Sequence, residues 1–242
     1  MENKNFKIHF IQHASWVSPA EYLLWAERNG YQCSFTKLYE FESLPTSVDA
    51  DMLIVLGGPQ NPATTLDEYP YFDVEKEKEL INLYISRGRI VVGSCLGAQL
   101  LGEAMGAGFH HSPYPEVGYV RGSLTKEGRE DPLLKDFPDN FDMGEWHNDM
   151  PGLAHNSVLL AYSDGCPHQI IKYGKFAYGF QTHMELNHDA IVGMLEAHNS
   201  DTVVHKGPYI LNNDEILAYD FSEMNRLLSS FLDNIVEAYL NR

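Results

Sequence analysis

Short apolar runs alternate with amphipathic stretches over the first half of the chain. The apolar runs predict four strands, at residues 6–11, 32–38, 52–56 and 89–92. After the first strand, Ser18 and Glu21 have the spacing of a capping box, which predicts the start of a helix that ends at Gly30. A second amphipathic helix is predicted from Val74 to Gly88. Strands and helices therefore alternate as they do in βαβ units.

The second half of the chain has a different pattern of predicted elements. It contains four further predicted strands, at residues 117–124, 140–146, 157–162 and 168–173. A hairpin turn is predicted at residues 172–175. The first half favours an α/β fold with a doubly wound, mostly parallel, flavodoxin-like sheet that is flanked by helices. The second half predicts a mixed, antiparallel extension of this sheet, and the lack of repeats or linkers indicates a single domain over residues 1–242.

An apolar stripe marks the last part of the chain. Apolar residues recur every three or four positions between Leu217 and Ile235, which predicts an amphipathic helix over about residues 214–240. Such a stripe suits packing on the core and an interface with another chain equally well, so both alternatives stay open.

Charge narrows the range of partners. The 242 residues include 17 Lys+Arg and 34 Asp+Glu, so the formal net charge is −17. Nucleic acid and anionic membranes are therefore not expected as partners. The sequence has no apolar run long enough for a transmembrane helix and no signal-peptide core, which predicts a cytoplasmic protein. Cys33, Cys95 and Cys166 lack the spacing of a disulfide framework and are expected to be free thiols.

The sharpest local motif, Gly93-Ser94-Cys95-Leu96-Gly97, follows the fourth predicted strand directly. A Gly-x-nucleophile-x-Gly turn between a strand and a helix is a nucleophile elbow, which lets the nucleophile project above the sheet edge. The helix dipole at this point favours a thiolate. The alternative interpretation is a buried core cysteine between two packing glycines.

A cysteine nucleophile needs a base and a group that orients the base. His183 follows a predicted strand end, and Glu185 stands two positions later, on the same side of an extended segment. Gly58 follows the third predicted strand, where its N–H and that of Leu96 can donate to a developing oxyanion. An ordinary turn at Gly58 is the alternative. The sequence contains no dinucleotide, P-loop or zinc-protease motif, so neither a cofactor nor a metal is predicted.

Three motifs together resemble a known family. These are Gly57-Gly58-Pro59, residues 93–99 and residues 179–185, in the order and approximate separation found in class I glutamine amidotransferase domains. The resemblance extends to residues 116–119 and 146–149. It covers roughly residues 6–190, and the chain resembles a free-standing domain like the glutaminase domain of GMP synthase.

The resemblance implies roles for individual residues. Cys95 is the nucleophile, His183 the base and acid, and Glu185 the carboxylate that orients the histidine. Gln99 helps to hold glutamine, and His147 borders the amino-acid end of the substrate, although Asn148 stands where glycine is commoner. The implied reaction cleaves the γ-carboxamide of glutamine through a γ-glutamyl thioester and releases glutamate and ammonia.

Several functions stay open at this point. The segment after Glu185 has no room for a synthase domain, so either a separate, ammonia-accepting synthase subunit exists or the protein is a free-standing hydrolase. A γ-glutamyl peptidase is the first alternative. A cysteine hydrolase of the dienelactone-hydrolase kind is disfavoured because Glu185 follows His183. A non-catalytic binding or regulatory subunit is the alternative from another class, although the nucleophile and the histidine are both present.

Overall fold

A single nine-stranded sheet forms the centre of the computed structural model, which describes residues 5–197 and 207–242. Its order is β2-β1-β3-β4-β9-β8-β7-β5-β6. The strands are β1 (Lys7–Gln12), β2 (Gln32–Lys37), β3 (Met52–Val55), β4 (Ile90–Ser94), β5 (Phe109–Leu124), β6 (Asn140–Pro151), β7 (Val158–Ser163), β8 (Ile170–Gly174) and β9 (Ala177–Phe180). Residues 1–4, at the start of the segment considered as a signal peptide, lie outside the described ranges.

Helices cover both faces of this sheet. They are α1 (Ala20–Arg28), α2 (Val74–Ser86), α3 (Leu96–Ala104), α4 (Lys126–Glu130), α5 (His188–Ala197), α6 (Asn213–Leu217) and α7 (Ser222–Leu240). Successive residues of a strand point to opposite faces. Met52 and Ile54 accordingly pack in the core that includes α1 and α7, whereas Leu53 and Val55 pack in a second core with α2 and α3.

The predicted fold class is confirmed. Strands β2, β1, β3, β4 and β9 pair in parallel, and β8, β7, β5 and β6 extend the sheet with antiparallel pairing. Strands β5 and β6 are longer than predicted, since they begin at Phe109 and continue to Pro151 respectively. Their pairing is irregular between His111 and Glu116, which the alternation of polar and apolar residues did not indicate.

The predicted capping box of α1 is wrong. The Ser18 hydroxyl accepts from the N–H of Ala20, but the helix has no capping bond from a side chain at its N-cap residue, Pro19. The Glu21 carboxylate is bound instead by Arg28 and by the Ser229 hydroxyl of α7. The Glu21 carboxylate is therefore held by a residue one turn or more along its own helix and by a residue of α7, rather than by a capping box.

The predicted terminal helix is divided in two. Residues 218–221 separate α6 from α7, and Tyr219 there stacks on Tyr119 of β5 and donates to Asp142 of β6 at 3.0 Å. The apolar stripe of α7 packs on the sheet, because Met224 and Phe231 are 1% and 0% exposed. Among the described helices, none combines the length and the apolar character that crossing a membrane requires.

Candidate active site

Cys95 occupies a strained turn at the carboxyl edge of the parallel strands. It lies between β4 and α3 with φ 51° and ψ −111°, a conformation that is uncommon for a residue with a side chain. A Cβ on Gly93 would lie 2.3 Å from the Gly97 carbonyl oxygen, and one on Gly97 would lie 1.9 Å from the Val55 oxygen. Both glycines of the motif are therefore required for α3 to pack this closely on β3 and β4.

Cys95, His183 and Glu185 come together at this edge. Burial leaves His183 and Glu185 5% and 2% exposed. The His183 imidazole interacts with the Cys95 thiol and donates from Nδ1 to Glu185 Oε1 at 2.7 Å. The Ser94 hydroxyl donates to the same carboxylate oxygen at 3.1 Å, and the His183 N–H donates to the Gly144 oxygen at 2.7 Å. The imidazole is thus held from its carboxylate side while its other edge faces the thiol.

Electrostatics favour a charged pair at the thiol and the imidazole. Burial by itself would raise the pKa of Cys95, but the neighbouring His183 brings that pKa below its ordinary value. Burial would lower the pKa of His183, yet Glu185 and Cys95 raise it well above its ordinary value. The thiolate and the imidazolium therefore stabilise each other.

The loop after β3 lies over the elbow. A Cβ on Gly58 would come within 2.5 Å of Gln60 Oε1 and 3.0 Å of Leu96 Cδ2, so the backbone approaches the start of α3 closely. The Leu96 N–H, at the start of α3, helps to lower the pKa of Cys95. The oxyanion roles of the Gly58 and Leu96 N–H groups stay predictions.

A buried histidine supports this loop and was missed in the sequence. His13, just beyond β1, is 0% exposed. Its Nδ1 lies 3.1 Å from the Gly57 oxygen, and its Nε2 lies 2.8 Å from Glu77 Oε2. His13 follows a strand that ends at the same edge of the sheet as Cys95, and this position along the chain could have identified it. Its partner Glu77 lies on α2, which no local pattern connects to β1.

The structure places Gln99 behind Cys95. Gln99 Nε2 donates to Gln181 Oε1 at 3.1 Å, and Gln181 Nε2 lies 3.5 Å from Cys95 Sγ. Gln181, a second residue that sequence reasoning missed, is therefore the amide in contact with the sulfur. The contact of Gln99 with substrate stays a prediction.

His147 lies between two carboxylates rather than on the cavity beside Cys95. Its Nε2 is 2.7 Å from Glu145 Oε2 and 3.3 Å from Glu116 Oε2. Burial would lower the pKa of His147, but these carboxylates raise it to about 10. Its positive charge contributes to the lowered pKa of Cys95. The contact of His147 with substrate stays a prediction.

Two cavities lie at opposite edges of the sheet. One of about 30 Å³ touches Cys95, Gly58 and His183, and its walls include Trp16 and Trp146. A larger one of about 360 Å³ lies at the amino ends of β1 and β2, beside residues that include Lys7, His9 and Cys33. Burial and Glu27 raise the pKa of Cys33 in the larger cavity, which disfavours its thiolate, whereas the pKa of Cys95 is lowered. The smaller cavity, beside Cys95, is therefore the better candidate for an active site.

Comparisons with known proteins agree with this geometry. Residues 26–194 match the family model of glutamine amidotransferase class-I. The glutamine amidotransferase-like protein YfeJ of Salmonella typhimurium is 43% identical over 96% of this chain and 98% of its own length. One component of the glutamine-hydrolysing GMP synthase of Methanococcus aeolicus is 30% identical over 48% of this chain and 61% of its own length.

Solved structures are similar over nearly the whole chain. The crystal structure of SMU.1228c is 43% identical and superposes with a TM-score of 0.93 over 96% of this chain and 100% of that one. A glutamine amidotransferase from Thermotoga maritima has the same fold, with a TM-score of 0.85, 20% identity and coverage of 96% and 99% of the two chains. The match of the family model, the full-length relatives and the shared fold together show that this chain belongs to the class I glutamine amidotransferase family.

Proposed function

We propose that the protein is a cysteine-dependent glutamine amidohydrolase that releases glutamate and ammonia from glutamine. The observation that supports this most is the Cys95-His183-Glu185 array at a strained turn between strand and helix. A thiol of lowered pKa is useful for nucleophilic attack, and a buried core cysteine has no need of one. The non-catalytic alternative gives no account of this arrangement.

The first half of the reaction forms a thioester. The Cys95 thiolate attacks the γ-carboxamide carbon, and the carbonyl electrons move to oxygen. The N–H groups of Gly58 and Leu96 stabilise this oxyanion. Collapse of the tetrahedral intermediate breaks the C–N bond, and the His183 imidazolium transfers its proton to the leaving nitrogen so that ammonia departs.

The second half of the reaction restores the enzyme. Neutral His183 takes a proton from water, which attacks the γ-glutamyl thioester carbon. The thioester C–S bond then breaks, and glutamate leaves with the thiolate regenerated. Glu185 keeps the imidazole in the orientation that both proton transfers need, since its Oε1 is held by Ser94 as well as by His183.

The ammonia acceptor is a separate question. The name of the Methanococcus aeolicus relative states that it is one subunit of a glutamine-hydrolysing GMP synthase. We infer by this similarity that a separate synthase subunit takes up the ammonia that the present chain releases. A protein that releases its ammonia to solvent would instead show full glutamine hydrolysis without any added partner.

Labelling by a diazo-ketone analogue of glutamine tests the proposed substrate. We expect a single covalent adduct by intact mass, because the analogue places an electrophilic carbon at the position of the γ-carboxamide. Cys95→Ala should abolish the adduct, and Cys33→Ala is the matched control that should keep it. Iodoacetamide, which has no glutamate portion, serves as the reference alkylator.

The outcomes of this labelling are distinct. If iodoacetamide modifies Cys95 but the analogue does not, the thiolate is reactive and the site does not accept glutamine. A γ-glutamyl peptide as substrate would then replace glutamine in the proposal, and release of the free amine from such a peptide would be measured next. Slow and equal labelling of all three cysteines would contradict an enzyme and favour a binding subunit.

The pH dependence of alkylation should differ among the three cysteines. The pKa of Cys95 lies below its ordinary value of 9.0, so its thiolate persists as the pH falls below 9. Burial raises the pKa of Cys33, and it raises that of Cys166 to about 12, so both thiols are protonated there. Peptide-level mass spectrometry should show Cys95 modified at pH values where the other two are inert. His183→Gln should move the Cys95 profile to higher pH, and three coincident profiles would contradict the ion pair.

A further inference from the structure

Four buried side chains with metal-binding chemistry meet behind the active site. Glu116 lies on β5, Glu145 and His147 lie on β6, and Cys166 lies in the loop between β7 and β8. Ligand atoms of Glu116, His147 and Cys166 are all within 4.8 Å of one another. His147 Nε2 is also 2.7 Å from Glu145 Oε2. The reaction proposed for Cys95 uses none of the Glu116, Glu145 and Cys166 side chains.

Several polar atoms of this cluster are buried without a hydrogen bond. Both Glu145 oxygens and both His147 nitrogens are inaccessible and have no hydrogen-bond partner of acceptable geometry among the residues described. The Glu145 side chain is 0% exposed and that of His147 is 1% exposed. Glu145 Oε2 and His147 Nε2 form an ion pair at 2.7 Å, whereas Glu145 Oε1 and His147 Nδ1 have no hydrogen bond among the described residues. Buried polar atoms without a hydrogen bond are costly, and natural proteins usually satisfy them with a ligand, water or ion.

Glu116 has the outer contacts of a metal ligand. The Ser163 hydroxyl donates to its Oε1 at 2.7 Å, and Gln169 Nε2 donates to its Oε2 at 2.7 Å. The Ser163 hydroxyl also accepts from the Cys166 N–H at 2.9 Å. A Cβ on Gly165 would lie 2.4 Å from Glu116 Oε1, so the loop packs directly on this carboxylate. Ligands of protein metal sites are oriented by such second contacts.

We propose that Glu116, His147 and Cys166 bind a zinc ion. A set of thiolate, imidazole and carboxylate is typical of Zn²⁺, whereas Mg²⁺ and Ca²⁺ take oxygen ligands. Bonds of about 2.0–2.3 Å in a tetrahedron place ligand atoms about 3.3–3.8 Å apart. The 3.3 Å between His147 Nε2 and Glu116 Oε2 fits this spacing, and the ligand atoms of Glu116, His147 and Cys166 all lie within 4.8 Å of one another.

The zinc ion would join three parts of the extension of the sheet. Register places Glu116 directly opposite His147, and Cys166 brings the β7–β8 loop to the same point. The ion would therefore tie this loop to the β5–β6 pair, close to the segment that carries Gly144 and holds His183. Zinc should raise the melting temperature, since a ligand that binds only the folded state stabilises it by mass action.

Cobalt titration of the metal-stripped full-length protein tests the site. The Cys95→Ser variant is the starting protein, so that the thiol of the active site cannot bind the metal. We expect one equivalent of Co²⁺ to produce thiolate-to-cobalt charge-transfer absorption and the visible bands of a tetrahedral ion, and Zn²⁺ to abolish both. Exposed histidines such as His111 can bind cobalt, but they give no thiolate band.

Variants of the ligands and their neighbours locate the metal. Cys166→Ser in the same background should remove the charge-transfer band, and Cys33→Ser should keep it. Ser163→Ala, which deletes a hydrogen bond to Glu116, should weaken Zn²⁺ binding by about 10–100-fold. Circular dichroism shows whether each variant is folded, and Glu116→Gln is the second ligand variant should Cys166→Ser unfold.

Two results would overturn the zinc site. One is a thiolate band that survives in folded Cys166→Ser, and the other is the absence of any band at saturating Co²⁺ in the folded starting protein. Since the titration uses a protein without the Cys95 nucleophile, its outcome is independent of glutamine hydrolysis. Failure of the proposed hydrolase would leave the cobalt spectra unchanged, and failure of the zinc site would leave labelling by the diazo-ketone unchanged.

Discussion

Cys95→Ala, His183→Gln and the double variant should each lower glutamine hydrolysis by about the same factor, on the order of 10⁴–10⁶. The physical reason is that the thiolate and the imidazolium act as one unit. Each raises the charged fraction of the other, and the histidine then supplies the proton that the leaving nitrogen needs. Once either is removed, the other has little left to contribute, so the effects do not add. Ammonia release at saturating glutamine measures the loss.

Matched variants separate this loss from general damage. Cys33→Ala removes a thiol at the opposite edge of the sheet, and His188→Gln removes an exposed imidazole near the site. Both should keep full turnover. Additive losses in the double variant would show that Cys95 and His183 act independently, and full turnover in Cys95→Ala would place the nucleophile elsewhere.

Gly58→Val should lower turnover by about 10²–10³, or about 3 kcal/mol of transition-state stabilisation. The physical reason is a steric clash of the new side chain. Any Cβ at this position meets Gln60, His13 and Leu96 at 3.0 Å or less, so the loop must move away and take its N–H with it. The oxyanion then loses one donor while the remaining donor and the charged pair stay in place. The value of kcat with glutamine is the measurement.

The reactivity of the Cys95 thiol should not change in Gly58→Val. The pH profile of Cys95 alkylation by iodoacetamide in Gly58→Val should match that of the unchanged protein, since the Cys95–His183 pair does not include the loop. Gly174→Ala is a control glycine variant, because its Cβ meets only Ala177 at an ordinary 3.6 Å. Near-normal turnover in folded Gly58→Val would exclude the oxyanion role of Gly58.

Local patterns predicted most strands of the sheet because the spacing of apolar residues along a segment follows from the geometry of the element that it forms. Residues 52–56 form an unbroken apolar run, as expected of a strand that is buried on both faces, and Met52–Val55 is such a strand. The elbow motif was equally informative, since only small residues at Gly93 and Gly97 permit the contact with β3. Features that depend on partners far away in the sequence were missed. Examples are the hydrogen bond between the Glu21 carboxylate and Ser229 and the break before α7.

The roles of polar side chains in the site depended on pairing between strands. Glu116 faces His147 only because of the register of β5 against β6, which includes an irregularity after His111. A shift of one residue would turn these side chains to the other face of the sheet. No local period encodes this register, so the cluster with Glu145 and Cys166 was invisible in the sequence, although each member is an ordinary polar residue there.

Sequence alone was sufficient for the α/β order of elements, the glycine-flanked turn at Cys95 and the family. These depend on neighbours along the chain, where apolar period, glycine size and motif spacing act directly. The folded chain was needed to show that α7 packs on the sheet, that His13 supports the loop of Gly58, and that His147 lies between two carboxylates. Such contacts join residues far apart in sequence, and their energies come from burial and charge pairing that exist only after the sheet has assembled.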